Sequence, residues 1–110
     1  NGKQTRTYCH IFDASVMILK IIFSGKQFIY NVGNSDEEIS AFNIANKVVK
    51  KFKEKKIKIV KVSYPKNYPS DEPRRRCPNI YRFTKEFKYK PKVKLDIGLN
   101  MFREYALKKY

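Results

Sequence analysis

The sequence has no tryptophan, one histidine, two cysteines and four glycines in 110 residues. Cys9 and Cys77 form no CxxC pair. With a single histidine beside them, they leave too few ligands for a structural zinc site, and no metal is expected. Two isolated thiols fit a reducing compartment rather than a disulfide framework. Gly2, Gly25, Gly33 and Gly98 are too scattered for a GxxGxxG turn, so nothing in the chain cradles the phosphates of a dinucleotide. Long apolar runs are missing as well. The longest, "VMILKIIF", is interrupted by Lys20 and is too short to span a bilayer. There is no signal-peptide pattern. A membrane partner is therefore not expected, and a cytoplasmic location is.

Acids are the other scarce class. Ten Asp and Glu face 25 Lys and Arg, for a net charge of +15. That surplus points to an anionic partner, or to a surface solvated by lysine. The remaining composition, 42% hydrophobic and 15% aromatic, is that of a globular chain. Its length suits one small domain over residues 1–110. Asn1 in place of Met fits a piece of a longer protein.

Along the chain, residues 3–11 read as extended. A helix is predicted from Asp13, as its cap, to about Phe23. Phe12, Val16, Leu19 and Phe23 form one apolar stripe, widened by Ile18 and Ile22. Gly25 stops it. Phe28, Ile29, Tyr30 and Val32 read as a buried strand. Ser35 and Glu38 have capping-box spacing, predicting a long amphipathic helix from Asp36 to near Lys55. "IKIVKV" alternates as a strand, with Ile57, Ile59 and Val62 inward. Residues 63–78 hold four of the five prolines and must form a shaped loop. A short helix from Asn79 to about Phe87 and a last helix marked by Leu95, Leu99, Phe102 and Ala106 complete the chain. The expected fold class is a small α/β unit, α+β-like, with a two- to three-stranded sheet and about four helices. Such a narrow sheet leaves open edges, and the first helix is more apolar than a domain of this size easily buries. Both features imply a surface meant for another copy or for more of the same protein.

Four stretches occur in a telling order: "RTYCHIFDA", "YNVGNSDEEIS", "DEPRRRCPNI" and "YKPKVKLDIGLNMFREY". In order and spacing they resemble the C-terminal third of NAD-dependent nucleotide-sugar epimerases and dehydratases of the extended short-chain dehydrogenase/reductase family. Nearly the whole chain takes part in the resemblance. It implies that an N-terminal Rossmann domain binds NAD and carries the catalytic Tyr-x-x-x-Lys pair. The part seen here would grip the nucleotide diphosphate of a UDP- or dTDP-sugar, without cofactor or catalytic residues of its own, in a homodimeric enzyme of carbohydrate metabolism. Arg6 matches the arginine that opens the family's segment along the diphosphate. The second phosphate arginine falls in the loop holding Arg74, Arg75 and Arg76, with Arg75 the first choice and Arg74 the next. Guanidinium forks suit this task because they donate paired hydrogen bonds and stay charged. The alternative for the triplet is an exposed basic loop held by Asp71 and Glu72. Asn79 stands where the family usually has aspartate, and Phe12 where it has a small or polar residue.

Other motifs carry less. Tyr81 with Lys85 and Tyr105 with Lys109 have Tyr-x-x-x-Lys spacing but no glycine-rich turn nearby, and read as coincidence. His10 lacks a partnered nucleophile and reads as structural. Cys77 lacks a resolving thiol. The competing function is a basic nucleic-acid-binding module, for which Tyr64, Tyr68 and Tyr89 are the freest aromatics.

Overall fold

The computed structural model describes residues 2–53, 55–69 and 71–109. Its elements run β1 (Thr5–Arg6), α1 (Ile11–Ser24), β2 (Ile39–Ser40), α2 (Ala41–Lys51), β3 (Arg75–Arg76), α3 (Tyr81–Phe87) and α4 (Leu95–Lys109). Four helices and a three-stranded sheet give the expected small α/β class. The sheet order is β2-β1-β3, with β1 antiparallel to β2 and parallel to β3. In register, Thr5 lies opposite Ser40 and Arg75, and Arg6 opposite Ile39 and Arg76.

Of the strands, β1 falls within the segment 3–11 read as extended, while β2 and β3 are not ones the pattern predicted. Residues 28–32 form no ladder and stay outside the three-stranded sheet. A strand forms only where another strand takes its backbone groups, and here the Ile29 carbonyl accepts from Arg82 Nη1 at 2.8 Å instead. Residues 57–62 likewise stay outside the sheet. Ile57, Ile59 and Val62, expected inward, are exposed. The strand that does form, β3, lies inside the predicted loop.

Helix starts moved for local reasons. His10 caps α1, its Nδ1 accepting from the Phe12 N–H at 3.2 Å. Helix α2 begins at Ala41, later than predicted, because β1 draws Ile39–Ser40 into the sheet. Ser40 then caps it, its Oγ accepting from Asn43 N at 3.1 Å. Asn34 turns the chain before that point, accepting from Asp36 N. Helix α3 begins at Tyr81 with Ile80, not Asn79, at the cap position and no side-chain cap; Asn79 Oδ1, one residue earlier, accepts from Tyr81 N at 2.9 Å.

The core is small. Met17, Ile80 and Phe83 are buried, with Ile21, Tyr30, Val32, Phe87 and Tyr89 packed around them. Helix α1 therefore buries the face carrying Asp13, Met17 and Ile21. The predicted stripe faces outward: Phe12, Leu19 and Phe23 are 58%, 51% and 80% exposed. The radius of gyration, 16.7 Å, exceeds the roughly 13 Å of a compact domain this long. The apolar surface is larger than this core can cover.

Asp13 decides which face turns inward. It is fully buried and accepts from Tyr89 Oη at 2.6 Å and Val93 N at 2.8 Å. Burial alone pushes its carboxyl up. Hydrogen bonds from Tyr89 and the backbone of Lys92 and Val93 outweigh that and hold it below the usual carboxylate range. Burial, then the bond to Asp13, push the Tyr89 hydroxyl up to about 12. The two pH limits follow by linkage. A lowered acid stabilises the fold above about pH 4, its unfolded value, and loses that contribution as pH falls through its folded value. The raised phenol contributes fully below about pH 10 and loses its contribution as pH rises toward about 12. Asp13→Asn presents an NH2 group to one of the two donors, and is expected to lower stability by about 2 kcal/mol at pH 7 and to flatten the acid limb. Urea unfolding at pH 7 and at acid pH measures both effects.

Candidate functional site

The four predicted arginines come together at one end of the sheet. Thr5 N donates to the Arg74 carbonyl at 2.8 Å and Thr7 N to the Arg76 carbonyl at 3.2 Å, zipping the chain's start to the proline-rich loop. Pro73 lies just before this pairing. It fixes φ and lacks an N–H, so it shapes the chain's entry into a strand only two residues long.

Alternation along the ladder then sorts the side chains. Arg6 and Arg76 are paired residues and share a face. Arg75 takes the other face with Thr5, and both bond Glu38: Arg75 through Nε at 3.0 Å and Nη2 at 2.8 Å. That fork, aided by Thr5, holds the Glu38 carboxyl below its usual range. Glu38 is 37 residues from Arg75, and no spacing in the sequence announced the pair.

On the first face, one carboxylate bridges two guanidiniums. Glu72 Oε1 accepts from Arg6 Nη2 at 2.7 Å and Glu72 Oε2 from Arg76 Nη2 at 2.9 Å. Arg6 Nη1 also donates to the Thr5 carbonyl at 2.8 Å, which fixes its fork. Arg6 and Arg76 line a shallow cleft with Thr7, Cys9, Val32, Gly33, Asn34, Cys77 and Pro78. Gly33 is required there: a Cβ on it would stand 2.8 Å from the Pro78 ring. An adjoining cleft holds Lys3, Gln4, Tyr64, Tyr68, Glu72 and Arg74. The Tyr64 and Tyr68 rings stack 4.2 Å apart beside it. Glu72 lines this second cleft and reaches Arg6 and Arg76 at the edge of the first.

The remaining candidates have structural roles. His10 is a helix cap. Burial and then the Asp13 charge push the Cys9 thiol up, away from nucleophile chemistry. Lys85 sits over the Tyr81 ring and Lys109 over Tyr105, as helical spacing dictates, on exposed faces. Tyr30 accepts from Lys26 N and Gln27 N and donates to Glu86, tying the end of α1 to α3. No cluster of metal-binding side chains occurs among the described residues, and none of the described helices is long and apolar enough to cross a membrane.

No family model matches the chain. UDP-glucuronic acid decarboxylase 3 of Arabidopsis thaliana is 31% identical over 103 residues, covering 94% of this chain. UDP-glucuronic acid decarboxylase 6 of the same plant is 29% identical over an equal span. The chain spans 28% of the length of either relative. Among solved structures, UDP-glucuronic acid 4-epimerase from Bacillus cereus, in complex with UDP-glucuronic acid and NAD, superposes with a TM-score of 0.78 at 25% identity. It is matched over 100% of this chain and 34% of its own. A dTDP-glucose 4,6-dehydratase from Bacillus anthracis in complex with NAD gives a TM-score of 0.83 at 21% identity, over 99% of this chain and 33% of that one. The fold is thus one portion of a larger class of enzyme, the extended short-chain dehydrogenases/reductases. Within that class the chain is similar, over nearly its whole length, to about a third of the length of nucleotide-sugar decarboxylases, epimerases and dehydratases.

The carboxylate bridge makes its own prediction. Removing Glu72 leaves two guanidiniums adjacent with no anion between them. Glu72→Ala is expected to lower Tm by several degrees at low salt, an effect on the order of 1 kcal/mol. Millimolar sulfate, which shares the geometry of the lost acceptors, is expected to restore most of it. Thermal scans with sulfate and with chloride at matched ionic strength measure this.

Proposed function

We propose that this chain binds the diphosphate of a UDP- or dTDP-sugar, acting as the C-terminal, substrate-gripping part of a nucleotide-sugar epimerase, dehydratase or decarboxylase. The observation that carries the reading is the pair Arg6 and Arg76. They share one face of the ladder, one cleft and one bridging carboxylate. Two guanidiniums that accept a two-oxygen anion between them are spaced for a pyrophosphate bridge, each fork taking one phosphate. On this reading Glu72 holds the forks in place until substrate oxygens replace it. Arg74, which lines the adjoining cleft, neutralises charge from the side. Arg75, engaged on the opposite face, fixes the strand.

NAD in the complete enzyme would transiently oxidise a sugar hydroxyl to a ketone, which eases epimerisation, dehydration or decarboxylation. The residues of this chain do not fit the dinucleotide. None of its glycines opens a helix behind a strand: Gly25 ends α1, Gly98 lies within α4, and Gly33 packs on Pro78. NAD is therefore assigned to a Rossmann domain N-terminal to this region. This chain contributes binding and orientation, and no proton or hydride transfer. The bare apolar face of α1 is read as the surface that this Rossmann half, or in its absence a second copy, covers.

Two measurements test the reading. In calorimetry with UDP, Arg6→Ala and Arg76→Ala are each expected to weaken binding about tenfold, and Arg75→Ala about threefold or less. Loss of binding with Arg75→Ala while Arg76→Ala binds normally would reverse the assignment. In light scattering, the chain alone is expected to dimerise, and Leu19→Glu with Phe23→Glu to return it to monomer. A monomeric parent chain contradicts the second-copy reading.

A further inference from the structure

We infer that residues 50–66 form a peripheral docking surface for an anionic lipid bilayer. Nine lysines fall between positions 47 and 66, with Glu54 the sole acid in that stretch of sequence. The fold uses only some of these charges. Lys47 and Lys51 pair with Asp96, at 2.8 and 3.8 Å, and Lys61 lies 4.7 Å over the Phe42 ring. Lys50, Lys53, Lys55, Lys56, Lys58 and Lys66 are exposed and make no ion pair among the described residues. Their charge therefore projects into solvent from one continuous segment.

The side chains between them select the partner. Ile57, Ile59, Val60 and Val62 alternate with these lysines. The alternation placed Ile57, Ile59 and Val62 inward, yet Val62 is 77% exposed, and Val60, not among the inward set, is 75% exposed. Lysines interleaved with bare aliphatic groups match an anionic headgroup layer. The ammonium groups reach phosphate and carboxylate charges while the short apolar side chains enter the acyl boundary. Nucleic acid fits less well. It is held by arginine forks and by aromatic faces on which bases stack. No arginine falls between positions 47 and 66, and the nearby Tyr64 and Tyr68 stack on each other. The contact is peripheral, since none of the described helices can span a bilayer. It reverses the expectation of no membrane partner, which rested on the short apolar run and the absence of a signal peptide and so concerned spanning rather than surface contact.

Co-sedimentation of the chain with vesicles tests this. Phosphatidylserine-containing vesicles are expected to bind it about tenfold more tightly than phosphatidylcholine alone, with binding falling as salt rises. Changing Lys50, Lys53, Lys56 and Lys58 to Glu is expected to remove that preference. The same charge change at Lys85, Lys88, Lys90 and Lys92 is expected to leave it within about twofold. Val60→Ser with Val62→Ser is expected to weaken binding while leaving its salt dependence unchanged. Circular dichroism checks that each variant folds. Equal loss from both lysine sets, unaltered binding by the valine variant, or tighter binding to single-stranded RNA than to the vesicles would each overturn the inference.

Discussion

Two guanidiniums on one rung of a sheet repel each other, and an anion between them offsets that repulsion. At the Arg6–Arg76 pair, Glu72 is that anion, and the arrangement depends on it. The parallel pairing of β1 with β3 places the two arginines side by side, and Coulomb repulsion would pry them apart without the shared carboxylate. A second carboxylate, Glu38, does the same for Arg75 on the opposite face and links it through Thr5 to β2. Two residues of ladder on each side give few backbone hydrogen bonds. The ion pairs and the stiffening prolines make up the difference.

The rest of the molecule positions this end of the sheet. Asp13, buried under Tyr89 and Val93, ties α1 to the turn ahead of α4. Glu37 accepts from Leu95 N at 2.7 Å, and Asp96 takes Lys47, so α4 is anchored beside α2. A core of three buried apolar residues does not stabilise 110 residues by hydrophobic burial alone. Buried and half-buried polar contacts between segments distant in sequence therefore carry much of the specificity. They also leave the apolar side of α1 bare. A unit built in this way is completed by whatever covers that side, which fits a chain spanning about a third of the enzymes it superposes on.

Charge is divided unevenly between two regions with different chemistry. The arginines are few, paired with acids and held by backbone, which suits recognition of a small, rigid anion. The lysines of residues 47–66 are numerous, most make no ion pair among the described residues, and they are mixed with aliphatic side chains. Such a surface suits a broad, soft, anionic one. The proposed nucleotide-sugar reading draws on the first region only.

Periodicity sufficed for the presence of four helices, because a helix satisfies its own backbone and its apolar spacing is local, while the starts predicted from Asp13, Ser35 with Glu38, and Asn79 moved to His10, Ser40 and Ile80. The order of the four motifs was likewise enough to indicate the family and to bring Arg6 and the arginine triplet into one hypothesis. Strands could not be read in this way. The alternation at residues 57–62 resembles a strand, but no neighbour takes its backbone, while Arg75–Arg76, with no strand pattern, pairs with β1. The choice among three consecutive arginines also lay beyond local pattern. In a ladder, neighbours point to opposite faces, so one step of register decides whether Arg75 or Arg76 stands beside Arg6. The chain alone determined which cationic residue types were at hand. Only tertiary pairing, with Glu38 and Glu72 arriving from distant positions, decided which of them face the same side.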